Sequence, residues 1–311
     1  MNPFPVVRVA HIETTEHAQP WLITDLWGRE AVGFVGGTPK SCKTWLALEL
    51  AVAVASGRPC LGRFAVAEPG PVLLYAAEDA AQDIHQRVAG IARARSIDFE
   101  RLAVGLITEP ILRLDIDEHQ QRLADTVAKV RPRLLVLDPL VRLHRADENS
   151  ASDVSGLLGF LRLLQREHHV AIALVHHVRK ASATQPGQAL RGSGDLHAWS
   201  DSNLYLLHRK DRLELHAEHR SQPAPDPLVV RLHDDPAHIV VEGSVGADEP
   251  GLQPLHRGIL DALVGQPMTR TALRDIVAVR NETLGEALAW LQARGHVVRR
   301  DGLWGVPRSR H

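Results

Sequence analysis

One stretch of the chain gathers small residues, two lysines and hydroxyl side chains in an ordered spacing: Gly36-Gly37-Thr38-Pro39-Lys40-Ser41-Cys42-Lys43-Thr44. From Gly37 onward it follows the phosphate-loop pattern G-x-x-x-x-G-K-[ST], with Cys42 in the place of the second glycine. Such a loop turns successive backbone N–H groups inward and makes an anion nest. A helix starting behind it adds its unpaired N–H groups and the positive end of its dipole. In that setting the Lys43 ammonium reaches the β- and γ-phosphates of a nucleotide, and the Thr44 hydroxyl takes a place on Mg2+. Cys42 is a departure with a cost, since a non-glycine residue at positive φ is disfavoured by roughly 1–2 kcal/mol.

Acids follow two apolar runs at the right distance to face such a loop. Leu134-Leu135-Val136-Leu137 runs into Asp138-Pro139, and Val72-Leu73-Leu74-Tyr75-Ala76 runs into Ala77-Glu78-Asp79. Open parallel sheets gather ligands at the carboxyl ends of their strands. Asp138 is therefore the candidate holder of the Mg2+ water shell. Glu78 is the candidate carboxylate that orients or deprotonates an attacking water. Asp79 is expected to cap a helix opening at Ala80. A third apolar run, Val170–Val175, ends in His176-His177. His176 is the candidate sensor of the γ-phosphate, against the plainer reading of a histidine packed at a strand end.

These groups need a scaffold, and the hydrophobic pattern supplies one. Ala31–Val35 reads as the strand before the loop and Trp45–Val54 as the helix after it, stopped by Ser56-Gly57-Arg58-Pro59. Strands are expected over 72–76, 102–104, 134–138 and 170–175, and helices over 80–94, 117–130 and 153–167. Alternation of this kind implies an α/β fold with a mainly parallel sheet covered on both faces. From about residue 203 the runs Asn203–Leu207, Leu213–Ala217, Leu228–Leu232 and Ile239–Val241 read as antiparallel strands extending that sheet. Near the start, Trp21-Leu22-Ile23 reads as an anchoring strand, its tryptophan either packed in the core or walling a base pocket.

The rest divides by composition. Residues 1–20 are a proline-interrupted tail, 21–243 the large domain, 244–254 a glycine- and proline-rich linker, and 255–308 a separate small domain. In that last part Thr269 and Asn281 are expected to cap two helices, Gly295 to end the second, and Asp301-Gly302 to turn a hairpin. Three helices and a hairpin is the order of a winged helix-turn-helix. From residue 255 to residue 311, arginines outnumber acids nine to five. Arg280, Asn281 and Thr283 would lie on its recognition helix and Arg299 and Arg300 on its wing, as DNA contacts. Two further basic segments are Arg142, His144 and Arg145, and the long polar run from Arg179 and Lys180 through Arg191 to Gly194. The long run reads as a functional loop tracking a nucleic-acid backbone.

Composition narrows the classes. The 311 residues are 44% hydrophobic and 23% charged, with a net charge of −1, so a whole-protein basic field is excluded and nucleic-acid contacts must be local. No apolar run approaches the roughly 18 residues of a membrane span. The opening residues show no signal pattern, and two cysteines imply no disulfide framework. A cytoplasmic location is expected. The 18 histidines are scattered without metal-ligand spacing.

Taken together, Gly36–Thr44, Ala77-Glu78-Asp79, Leu135–Pro139 and Val175-His176-His177-Val178-Arg179-Lys180 resemble the RecA-like ATPases. The nearest group is the RepA-type hexameric replicative helicases of plasmids and related phage and chromosomal ATPases. The resemblance covers about 20–243 and leaves out the C-terminal part. It implies ATP and Mg2+ held by Lys43 and Thr44, Glu78 as catalytic carboxylate and Asp138 as the Walker B acid. It also implies a homo-oligomer, a hexamer above all, with single-stranded DNA in a central pore. ATP would lie between subunits, completed by an arginine from the neighbour. Arg220, in Ala217-Glu218-His219-Arg220, is placed in that role, with Arg191 as its rival. The functions this leaves open are a DNA helicase, a non-helicase DNA-binding ATPase acting as regulator or loader, and a non-catalytic nucleotide-binding assembly module.

Overall fold

The computed structural model describes residues 3–11, 20–145, 151–177, 194–209, 212–244, 253–263, 267–300 and 302–306. The chain divides into two compact units, Met1–Gly243 and Ser244–His311. In the first, β1 (Trp21–Ile23) and β2 (Trp27–Gly28) pair as a short ribbon. There follow β3 (Val32–Gly37), α1 (Lys43–Ser56), β4 (Val72–Ala76), α2 (Ala81–Ala94), β5 (Val104–Leu106), α3 (Asp117–Val130) and β6 (Leu134–Asp138). Then come α4 (Ala151–His168), β7 (Ala171–His177), α5 (Gly194–Trp199), β8 (Ser202–Arg209), β9 (Arg212–His219), β10 (Leu228–Asp234) and β11 (Ala237–Ser244).

Nine of these strands form one sheet in the order β11-β10-β9-β8-β3-β7-β6-β4-β5. From β8 to β5 all neighbours run parallel, while β9 turns back antiparallel to β8 and β10 to β9. The expectation that the antiparallel extension starts at residue 203 is corrected by one strand. β8 lies parallel to β3, and its run Leu204–Leu207 is buried throughout, as an interior parallel strand must be. β5 also starts later than the expected residue 102, at Val104.

Period-two alternation splits the sheet's side chains between two cores. Val35, Val72, Leu74, Val136 and Val175 pack with α1 and α2 on one face. Phe34, Leu73, Leu135, Leu137 and Leu174 pack with α3 and α4 on the other. α1 is buried along Leu46–Val54, a run that is apolar except for Glu49, whose buried carboxylate pairs with Arg95 at 3.2 Å. It ends at Gly57, whose φ of 71° lets the chain turn away. Among the described residues no helix is long and apolar enough to cross a membrane.

The second unit holds α6 (Pro254–Leu263), α7 (Arg270–Val277), α8 (Asn281–Ala293), β12 (Val298–Arg300) and β13 (Leu303–Gly305), the two strands pairing antiparallel. Its core comprises Ile259, Leu263, Leu273, Leu284, Leu288, Leu291 and Trp304. Thr269 caps α7, accepting from Ala272 N–H at 3.2 Å. Asn281 does not cap α8: it is the first helical residue, and Arg280 precedes it without a side-chain cap.

Candidate nucleotide site

The carboxyl ends of β3, β4, β6 and β7 emerge on one side of the sheet because all four run parallel: Gly37 pairs with His177, Ala76 with Asp138, and Leu137 with Leu174. The turn that leaves β3 closes with Ser41 N–H on the Thr38 carbonyl at 3.3 Å. Lys40 and Cys42 both adopt left-handed backbone, at φ 63° and 61°. Cys42 is the N-cap of α1 and makes no side-chain capping bond there. The second left-handed position, Lys40, carried no glycine to announce it. Gly37 has no substitute, since a Cβ there would stand 2.4 Å from Ser41 Oγ and 2.7 Å from the Leu206 carbonyl oxygen.

Loop and acids meet around one cleft of about 250 Å3, whose walls include Lys43, Thr44, Trp45, Glu78, Asp138 and His177. Thr44 Oγ1 donates to Asp138 Oδ2 at 2.7 Å. Lys43 Nζ donates to the Thr38 carbonyl at 2.8 Å. Burial pushes the Asp138 carboxyl up to about 6, against the pull of the Thr44 hydrogen bond. Burial likewise lowers the Lys43 ammonium, with Asp138 opposing. Ser41 Oγ, also in the cleft wall, is buried with no hydrogen-bond partner among the described residues. A glycine-led loop with two left-handed residues, a buried ammonium, an unsatisfied hydroxyl and a threonine–aspartate pair form a set that fits a triphosphate with a divalent cation.

Other candidates land differently. Glu78 reaches the cleft, but its Oε1 accepts from Arg142 Nε at 2.7 Å. Asp79 does not cap α2, whose N-cap is Ala80. It instead takes a bidentate bond from Arg87, at 3.0 and 2.9 Å, a stronger partner than a single N–H. Arg87 in turn lies over the Trp45 ring at 5.5 Å. This acid–arginine–tryptophan group borders the cleft and left no local signal in the sequence. His176 turns to the other face of the sheet, its ring against Phe34 at 5.9 Å, and burial drives it down to about 4. His177, one residue on, lines the cleft, and its imidazole is lowered by burial and then by Lys43.

Arg220 follows β9 at the opposite edge of the sheet, beside the start of β8. It pairs with Asp201 at 3.4 Å and donates to the Ala198 carbonyl of its own chain, so it is not brought to this chain's cleft. Trp21 is buried, edge-on to His219 at 4.8 Å, and walls no part of the cleft. His144 is buried rather than presented with Arg142 and Arg145. Arg179, Lys180 and Arg191 lie outside the described residues. In the second unit Arg280 is exposed, Arg299 lies over Trp304 at 5.8 Å, and Arg300 closes β12.

Comparison with known proteins agrees with this geometry. Residues 2–183 match the AAA_25 family, an AAA domain. Among solved structures the chain is similar to an ATPase domain, with a TM-score of 0.50 and 16% identity over 68% of this chain and 84% of that one. It is also similar to a DnaB-like replicative helicase, with a TM-score of 0.50 and 17% identity over 68% of this chain and 57% of that one. At such identities the likeness is one of fold. The family match spans more than half of the sequence and takes in the loop, both acids and the histidine pair, so this chain belongs to the AAA domain family, as a P-loop ATPase of RecA-like build.

Proposed function

We propose that the protein is an ATP-driven motor acting on DNA as a ring of identical subunits, in the manner of RepA-type hexameric helicases. The observation that carries the reading is the Thr44–Asp138 bond beside Lys43, with Glu78 on the same cleft. In this reading the N–H groups of residues 36–44 cradle the phosphates and Lys43 binds the terminal ones. Thr44 and Asp138 hold Mg2+, which when bound neutralises charge between β- and γ-phosphate. Glu78 orients the attacking water. His177, from its place in the cleft, takes the γ-phosphate contact that the sequence suggested for His176. Arg220 would serve a second copy's nucleotide, since its own edge of the sheet lies away from its own cleft. Residues 21–243 then form the motor, 244–254 a linker and 255–308 a winged helix that brings Arg280, Arg299 and Arg300 to DNA. The fold likeness to an ATPase domain and to a replicative helicase supports the motor reading.

The arginine-rich second unit favours one further reading, a DNA-binding ATPase that loads or regulates other proteins without unwinding. Turnover of ATP with and without single-stranded DNA, followed by unwinding of a forked duplex, separates the two. Lys43→Ala is expected to lose nucleotide binding. Glu78→Gln should keep it and lose turnover by about 10²-fold or more. Normal turnover by either variant refutes the site. Mixing Arg220→Ala with Glu78→Gln subunits should restore part of the activity, because some interfaces then pair an intact Glu78 with an intact Arg220. No recovery removes Arg220 from the trans role.

A further inference from the structure

The second unit keeps its charges apart. On α8, Leu284, Ala287, Leu288 and Leu291 are buried. The opposite stripe, Glu282, Glu286, Ala289 and Ala293, is exposed. Arg274 on α7 is taken by Asp275 at 3.0 Å, but among the described residues neither glutamate of the stripe is in an ion pair.

Three exposed arginines stand elsewhere. Arg270 opens α7, Arg280 precedes α8 as its N-cap residue, and Arg299 is the central residue of β12. Arg270 Nη2 donates to the Asn281 carbonyl at 2.5 Å, next to Arg280 in the chain. A Cβ on Gly285 would stand 2.6 Å from that same nitrogen, so the glycine leaves the guanidinium its place across the first turn of α8. Just before Arg270, Met268 exchanges backbone hydrogen bonds with Trp304, at 2.8 and 2.7 Å. Trp304 pairs across the hairpin with Arg299, whose guanidinium lies over the indole at 5.8 Å. One run of contacts thus ties the starts of α7 and α8 and the hairpin into a single corner that carries all three cations. None of the three is in an ion pair among the described residues.

A duplex presents a dense, regular row of phosphates on each side of its grooves. Cations fixed on rigid backbone match such a row, and contacts of that kind position a protein without reading sequence. A helix that reads bases lies in the major groove, between two phosphate rows. Glu282, in the first turn of α8, has a plain reason to be acidic in the helix dipole. Glu286, a turn further on, does not share it. Two carboxylates without cations would meet the phosphate rows with repulsion, and Ala289 and Ala293 bring no polar group to a base edge.

We infer that the second unit grips duplex DNA by this corner, with Arg270, Arg280 and Arg299 on backbone phosphates and the outward stripe of α8 held out of the major groove, so that binding is indifferent to base sequence. The inference rests on the reading of this unit as a DNA contact. To that reading it adds Arg270, and it takes base recognition away from α8.

The test is binding of short fluorescent duplexes of two unrelated sequences by the full chain, without nucleotide, across a salt series. Arg270→Ala, Arg280→Ala and Arg299→Ala should each weaken both duplexes alike, by about three- to tenfold, and lower the slope of log affinity against log salt by about 1. Arg270→Ala removes a bond within the unit; should it unfold, Arg280→Ala and Arg299→Ala carry the test alone. Glu282→Gln combined with Glu286→Gln should shift both duplexes equally, by no more than about twofold. A change in preference between the two sequences of more than about fivefold in that double variant puts α8 in the groove and overturns the proposal. Competition by unlabelled oligo-dT as strong as by unlabelled duplex overturns the assignment to a duplex. Duplex binding that ignores all three arginines overturns the corner while leaving the protein a DNA binder. No duplex binding by wild type marks failure of the underlying reading of the unit, and the inference falls with it.

Discussion

Asp201 and Asp138 are both partly buried acids at edges of the same sheet, and the fold treats them in opposite ways. Asp201, just before β8, accepts from Arg162 at 2.6 Å and from Val32 N–H at 3.3 Å, and pairs with Arg220 at 3.4 Å. Arg162 also donates to the Trp199 carbonyl and lies over that ring at 5.5 Å. Nearby, Asn203 accepts from Phe34 N–H at 3.1 Å and donates to Ser200 Oγ at 2.7 Å. Asp138, at the end of β6, accepts from the Thr44 hydroxyl, and its carboxyl is pushed up to about 6 by burial. Around it lie two left-handed non-glycine residues and a hydroxyl without a partner among the described residues. One edge is completed within the chain and holds strands together. The other carries these left-handed residues and this hydroxyl, the marks of a binding site rather than of a strand clamp.

That contrast can be broken by substitution. The largest effect is expected from Asp201→Ala, which leaves Arg162 and Val32 N–H without their acceptor. It should lower stability by about 3 kcal/mol, read from urea unfolding midpoints, with nucleotide affinity lost only through unfolding. Asp138→Asn should do the reverse, raising the stability of the nucleotide-free protein at pH 7.5 by about 2 kcal/mol while removing Mg2+-dependent binding. The sign follows from the shift: a carboxyl raised from 3.8 to about 6 prefers to be protonated in the fold, so its ionisation works against folding above about 6. The gain from asparagine should shrink as pH falls through 6 and vanish near 4. A loss of stability at pH 7.5 would place Asp138 with Asp201 and erase the distinction. Smallest is Cys42→Gly, expected to recover about 1 kcal/mol by relieving a φ of 61° and to tighten nucleotide binding. An unchanged Kd would mean that the cysteine already holds the nest in its binding form.

Much of the large unit was legible from local pattern. Strands 72–76 and 134–138 and the helix 117–130 stand where the apolar spacing put them, because each is a continuous run or stripe closed by polar residues. The loop and the two acids behind those strands were legible for the same reason, chemistry and position being written together. The parallel pairing of β8 was not, since strand direction depends on which edge the chain re-enters, and a short apolar run reads alike both ways. Asp79 and Arg87 were equally hidden, as a bidentate pair across the start of α2 competes with a cap that the sequence alone favours.

What the amino-acid order determined by itself was the strand–loop–helix that bears Lys43 and Thr44 and the acids that close the next strands, because glycine spacing and hydrophobic runs act over a few residues. What only the tertiary structure decided was which of two adjacent histidines meets the cleft, and that Glu78 is held by Arg142. The first is set by the register of β7 beside β3, the second by a loop 64 residues away in the chain, and neither register nor long-range contact is a property of any local window.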